Sequence, residues 1–178
     1  MTAKNFFIPS KCPAHASIVG RIIVAVGKSL IENEHGYFFT NIDVQFDDEN
    51  IFVPNLCVVL KSNEKILNWS SNIYGAPDMV VEVLSKSTRR NDLTTKKDTY
   101  EANGVREYWI VDPWMKSIDV YLLRDGKYFF DDEYILFDKE EFENLNDTEK
   151  AAVKYEVPVK ILDGLKIPLD FIFKWGYK

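Results

Sequence analysis

The sequence is poor in the residues that build disulfide frameworks and soft-metal sites. It has two cysteines, Cys12 and Cys57, and two histidines, His15 and His35. Two isolated thiols give neither a disulfide scaffold nor a paired-cysteine zinc motif, and they fit a reducing cytoplasm. The histidines fall at opposite ends of the first helical stretch, so both read as structural or surface residues. No stretch approaches the ~20 apolar residues of a membrane span. The N-terminal Met1–Asn5, leading into Phe6-Phe7-Ile8, lacks the apolar core and cleavage site of a secretion signal. A P-loop, a dinucleotide fingerprint and a serine nucleophile elbow are also missing. Basic excess is lacking too: 22 Lys and Arg face 28 Asp and Glu, for a net charge of -6. That argues against coating nucleic acid through charge alone. It leaves room for a nuclease, whose cleft carries carboxylates beside a local basic rim.

What is present suits one globular domain over 1–178: 178 residues, 46% hydrophobic and 14% aromatic. Ile18, Ile22, Val26 and Leu30 recur every four residues, which predicts a helix from about Ala14 or His15 to before Gly36. Strands are expected over Tyr37–Phe46, Ile51–Leu60 and Asp78–Leu84. Pro54 suggests an edge position or a bulge for the second. The core of the third, Met79-Val80-Val81-Glu82-Val83-Leu84, is apolar enough to be buried on both faces. A second helix is expected over Asp92–Asn103, stopped by Gly104. Strands over Arg106–Val111, Ser117–Leu123 and Tyr128–Ile135 follow, the last two joined by the hairpin signal Arg124-Asp125-Gly126-Lys127. Residues 138–154 are charged and read as a peripheral insertion, open to a helical reading. A turn at Leu162–Leu165 and a short helix near Leu169–Lys174 close the chain. The order is α-β-β-β-α-β plus a β-meander: an α/β single domain with a mixed central sheet flanked by helices.

Glu82 is the most informative residue, because an unpaired carboxylate inside a buried strand costs several kcal/mol. Alternation puts Asp78, Val80, Glu82 and Leu84 on one face, and Asn55 on the neighbouring strand could reach the same region. A metal ion would make Glu82 a ligand; a buried lysine or backbone amides would also satisfy it. Leu93 and Tyr100 mark the inward stripe of the second helix, with Lys96 and Lys97 about 50° to either side. Periodicity does not choose between the two lysines as a charge-stabilising cation or a solvent-edge residue. Lys86, Arg89 and Arg90, with Ser85, Ser87 and Thr88, form either a phosphate-contacting lip or a solvated helix start.

The block Pro77-Asp78-Met79-Val80-Val81-Glu82-Val83-Leu84-Ser85-Lys86-Ser87-Thr88-Arg89 resembles the signature of the Uma family. Its ungapped continuation through Asp92, Lys96, Tyr100, Gly104-Val105 and Glu107-Tyr108-Trp109-Ile110-Val111-Asp112-Pro113 does so as well. Val53-Pro54-Asn55-Leu56 is similar to the family's upstream strand, and Pro9–Gly20 to the start of its first helix. The resemblance implies the PD-(D/E)xK, restriction-endonuclease-like fold. It implies Glu82 as the core-strand glutamate and Lys96, rather than Lys97, as a lysine supplied from the following helix, since Leu84 stands at the usual lysine position. Asp78 is a family position too. Asn55 stands where the family has an aspartate, and the family's N-terminal strand pair is only partly contained in the chain.

The expected function is therefore a metal-dependent endonuclease that hydrolyses DNA phosphodiester bonds with Mg²⁺ or Mn²⁺. Glu82, Lys96 and Asp78 would be catalytic, with Glu82, Asn55 and Asp78 on the metal. Arg89, Arg90, Lys86 and Lys97 would lie on DNA, and a homodimer would suit cutting two strands. The alternative is a catalytically weakened relative that binds nucleic acid or protein.

Overall fold

The computed structural model describes residues 12–174. The Pro9–Lys11 part of the expected helix start, and the N-terminal segment read for a secretion signal, lie outside the described residues.

Helix α1 (Pro13–Glu32) starts on a proline suited to a first helical turn. Its stripe of Ile18, Ile22, Val26 and Leu30 is fully buried. Gly27 lets the helix close on the sheet, since a Cβ there would lie 2.9 Å from the Phe38 ring. By length and composition alone α1 is apolar enough to cross a bilayer. This corrects the expectation that no stretch comes near that size. Exposed Val24 and Ile31 on its outer side add apolar content that the inward stripe does not need.

The first two expected strands each break in two. Tyr37–Phe46 becomes β1 (Gly36–Phe39) and β2 (Val44–Gln45), with Asn41 at φ 54 in the turn between them. Ile51–Leu60 becomes β3 (Ile51–Phe52) and β4 (Leu56–Leu60), broken around Pro54. The halves separate. A small sheet of order β3-β2-β5 includes β5 (Ile73–Tyr74). The main sheet has the order β1-β4-β6-β7-β8-β9. It adds β6 (Met79–Val83), β7 (Glu107–Asp112), β8 (Ser117–Arg124) and β9 (Lys127–Ile135). Only β6 and β7 pair in parallel within it. The β8–β9 hairpin turns on Asp125 and Gly126, at φ 50 and 74, as an Asp-Gly turn of the primed type requires.

The connection from β6 to β7 is a composite helix: α2 (Arg89–Asn91), a π-helical turn (Asp92–Lys96) and α3 (Lys97–Asn103). Gly104 ends it at φ 91. Further on come α4 (Lys139–Asn144) and α5 (Asp147–Ala152), each opened by a capping box and neither with a buried residue. The antiparallel pair β10 (Glu156–Pro158) and β11 (Lys166–Pro168) leads to α6 (Leu169–Phe173). α1 and α6 cover one face of the main sheet, where Met79, Val81 and Val83 join the larger core. The composite helix and the small sheet cover the other, around Val80, Leu84, Tyr100 and Tyr108. The architecture is the expected mixed sheet flanked by helices.

Candidate active site

All five residues of β6 are buried, as its composition predicts, and Glu82 is 2% exposed on the face toward the composite helix. The carboxylate is not left bare. Glu82 Oε1 accepts hydrogen bonds from Lys96 Nζ at 2.9 Å and from the Tyr100 hydroxyl at 2.8 Å. Lys96 Nζ also lies 2.8 Å from Asp92 Oδ1. That contact is an ion pair, and the second Asp92 carboxylate oxygen, Oδ2, is buried with no hydrogen-bond partner among the described residues.

The local winding explains this convergence. A π-helical turn is wider than an α turn and is common at functional sites. Here it aligns Asp92, Lys96 and Tyr100 on the inner side, all buried, and turns Leu93 out to 37% exposure. The Leu93–Tyr100 stripe is thus corrected to Asp92–Lys96–Tyr100. The Tyr108 hydroxyl donates to the Asp92 carbonyl oxygen at 2.9 Å and anchors the turn. Phe46, just after β2, and Phe52 of β3 pack against Tyr100, at 5.8 and 5.7 Å between ring centroids.

Burial pushes Glu82 up to about 7; Lys96 opposes the rise and Asp92 adds to it. Burial pulls the Lys96 ammonium down, yet Glu82 and Asp92 together hold it above its ordinary value. The two directions are compatible because one ammonium faces two carboxylates. Lys96 stays charged, and the negative charge in excess is what burial resists. Burial, then Glu82, raises Tyr100 well above a normal phenol, so it remains a donor. Cys57, pushed up to about 12 by burial and by Glu82, is a thiol and not a thiolate ligand.

The other expected site residues scatter. Asp78 immediately precedes β6, four residues from Glu82 and so about 13 Å away along the chain direction of the strand. Its carboxylate accepts from Leu60 N at 2.9 Å and Asn63 Nδ2 at 3.3 Å, and pairs with Arg106 at 3.2 Å. The expectation that Asp78 meets Glu82 at one metal is corrected: these bonds tie it to the far end of the strand. Asn55 precedes β4 and, by extension of the Leu56–Val81 register, stands beside Glu82. Its Oδ1 accepts from Val83 N at 2.8 Å. Its side chain lines a cavity of about 350 Å³ on the α1 side, with His15, Thr40 and Asn41. His15 is buried there and donates from Nε2 to the Val83 carbonyl at 3.0 Å. Lys97 lies over the Tyr121 ring, 3.7 Å from its centroid. Arg89 is ion-paired to Asp112, which also accepts from Trp114 N and Met115 N. Lys86 and Arg90 are exposed.

Residues 5–155 match the profile of a family described as "Putative restriction endonuclease", Uma2. The chain belongs to the Uma2 family. Its fold is also that of a crystal structure from Anabaena variabilis, described as "a putative nuclease belonging to DUF820". The TM-score is 0.68 at 18% identity, over 93% of this chain and 83% of that one. No curated protein matches.

Uma2 membership brings a divalent cation into question, and the residues can be tested for it. Among the described residues no three His, Cys, Asp or Glu side chains cluster as a metal cage. Magnesium does not require one, since it commonly takes one or two carboxylates, substrate phosphate and water. The buried Asp92 carboxylate, whose Oδ1 pairs with Lys96 and whose Oδ2 has no partner among the described residues, supplies such a pair with Glu82. The donor set therefore fits, with Lys96 between the two acids. Asp92 and Tyr100 were not singled out as site residues by sequence reasoning. The signal was the spacing of four from Asp92 to Lys96 to Tyr100.

Proposed function

We propose that this Uma2 protein is a nuclease that hydrolyses DNA phosphodiester bonds at the Glu82–Asp92–Lys96 cluster. The observation that carries the reading is the Lys96 ammonium, 2.9 Å from Glu82 and 2.8 Å from Asp92 in a buried setting. A charge held in low dielectric next to two hard oxygen donors is the arrangement phosphoryl chemistry exploits. Glu82 and Asp92 would hold Mg²⁺ or Mn²⁺, which would supply charge neutralisation and an activated water. Lys96 stabilises charge developing on the phosphate. Tyr100 fixes the Glu82 carboxylate. Exposed Lys86 and Arg90 meet the DNA backbone, and Arg89, through Asp112, holds the start of the composite helix. The chain acts as a single domain, in the reducing cytoplasm, and a homodimer suits cutting both strands.

A second reading, a weakened relative that only binds, is favoured by one observation. Glu82 and Asp92 are 2% and 1% exposed, so both acids are shielded from solvent. Plasmid cleavage with Mg²⁺ or Mn²⁺, alongside calorimetric metal titration, separates the two. The nuclease reading expects metal-dependent nicking, lost by at least ~100-fold in Lys96→Ala, with metal binding retained. No cleavage and no metal binding at millimolar cation supports the binding module.

A further inference from the structure

Trp69 is 70% exposed, the most exposed large hydrophobic residue among those described. It is not on a loose loop. Leu67 and Ile73 bridge beneath it, Asn68 N donates to Asn72 O at 3.2 Å, and Ser70 N donates to Asn68 Oδ1 at 3.0 Å. Tyr37 meets the indole edge-to-face, with centroids 5.1 Å apart at 84°, and Phe39 lies 6.1 Å away. A hydrogen-bonded loop thus holds a large aromatic ring out in water, over a small cavity of about 90 Å³ lined in part by Leu67, Asn68 and Asn72.

The position of this ring relates it to the acid cluster. Phe39 and Leu67 pack against the core on the Glu82 face of the main sheet, not on the α1 face. Phe39 pairs with Cys57, and Cys57 with Val80. Two strand spacings, with two residues along β6 from Phe39 and four from Tyr37, put their Cα atoms roughly 12 and 16 Å from that of Glu82. These spans are on the order of four steps of a nucleic-acid strand at ~3.4 Å each. Charge does little to favour binding here, because the protein is acidic and nearby Lys61 is already 3.3 Å from Glu34. An aromatic face needs no charge and accepts any base.

We propose that Trp69, backed by Tyr37 and Phe39, is a stacking platform for an unpaired base of a DNA strand whose backbone runs on to the Glu82–Asp92–Lys96 cluster. The proposal rests on the nuclease reading for its choice of ligand. It adds a preference for single-stranded, frayed or flipped-out substrate.

The test is fluorescence anisotropy of a labelled twelve-nucleotide oligothymidylate, titrated with the full chain in chelator so that nothing is cut. An oligonucleotide with the same backbone but abasic positions is titrated alongside. Trp69→Ala should weaken binding of the intact oligonucleotide roughly tenfold, and Trp69→Phe should restore most of it. The abasic strand should bind wild type and Trp69→Ala equally weakly. Equal affinity of wild type and Trp69→Ala for the intact strand overturns the platform. So does failure of wild type to bind, or a wild-type dimer in sedimentation that Trp69→Ala splits, which would make the ring a contact between copies. The nuclease reading fails separately: if Lys96→Ala still cuts while Trp69→Ala binds weakly, the platform stands and the active site is elsewhere.

Discussion

Two glutamates lie on the neighbouring parallel strands β6 and β7, and both are buried: Glu82 at 2% and Glu107 at 0% exposure. Their partners differ in kind. Glu107 accepts from Trp109 Nε1 at 2.8 Å, Lys160 N at 3.1 Å and Ile161 N at 2.8 Å. These are fixed, non-titrating N–H groups, two of them backbone, and they join β7 to the C-terminal segment. Glu82 is held instead by an ammonium and a phenol, with a second carboxylate 2.8 Å from the same ammonium. Fixed dipoles solve a folding problem. Ionisable side chains that can exchange partners retain binding capacity, as a site requires. Burial alone therefore does not mark a functional acid; the chemistry of its partners does.

The largest expected effect is a stability difference between matched isosteric variants. Glu107→Gln sets an amide NH₂ against one of the N–H donors and weakens three charge-assisted bonds. At ~1–3 kcal/mol for each unsatisfied or weakened buried contact, it should cost about 3 kcal/mol at pH 7. Glu82→Gln keeps an acceptor for Tyr100, leaves Lys96 paired with Asp92, and removes a charge that burial disfavours. It should not destabilise the protein at pH 7. Urea unfolding of the two variants decides the matter, and equal destabilisation would erase the distinction.

The second effect sharpens the comparison through pH. Glu82 is raised from 4.5 to about 7 in the folded protein. A raised folded value means that its contribution is fully present below about 4.5 and is lost as pH rises through about 7. Glu82→Gln should therefore gain stability relative to wild type across that window, by about 3 kcal/mol above it, and not at all below it. The Glu107 acid is also raised by burial, but its backbone and Trp109 donors oppose the shift. A flat difference between Glu82→Gln and wild type from pH 4 to 8 would show that Lys96 holds Glu82 ionised throughout.

Much of this contrast was legible in the sequence, and the missing part has a physical cause. An acid within Met79–Leu84 announces itself, because the surrounding run can only be a buried strand. Glu107 sits at the start of an equally buried strand, next to exposed Arg106, where the local pattern does not set it apart as a buried acid. Its partners Lys160 and Ile161 are more than fifty residues away, beyond local patterning. Lys96 and Lys97 were indistinguishable under ideal α periodicity. The π-helical turn breaks that periodicity, which is why it buries Asp92 and exposes Leu93. The continuous strands expected over Tyr37–Phe46 and Ile51–Leu60 failed at Asn41 and Pro54. A single positive φ and a missing N–H there were enough to send each half to a different sheet.

The smallest expected effect concerns Asn55, which lies between the two kinds of environment. Like the Glu107 oxygens, its Oδ1 accepts a backbone N–H, that of Val83, at 2.8 Å. Like Glu82, it stands at the end of the sheet where the acid cluster gathers. Asn55→Asp is nearly isosteric, and one carboxylate oxygen can keep the Val83 bond. The other takes the place of the amide nitrogen and adds a negative charge. If that oxygen reaches the ion that Glu82 and Asp92 would hold, a hard, charged ligand joins two others, and Mg²⁺ affinity should rise by at least about tenfold, or ~1.4 kcal/mol. In metal-free protein the same charge should lift the neighbouring carboxylates further, since like charges crowd. Calorimetry in Mg²⁺ reads the first effect, and carboxyl resonances followed by NMR read the second. The side chain also lines the cavity beside His15 on the α1 face, so the opposite result is equally specific. Unchanged Mg²⁺ affinity, together with a shifted His15 titration, would show that the sheet separates Asn55 from the acids. Asn55 would then belong with Glu107, as a backbone anchor, and Glu82, Asp92 and Lys96 alone would make up the site.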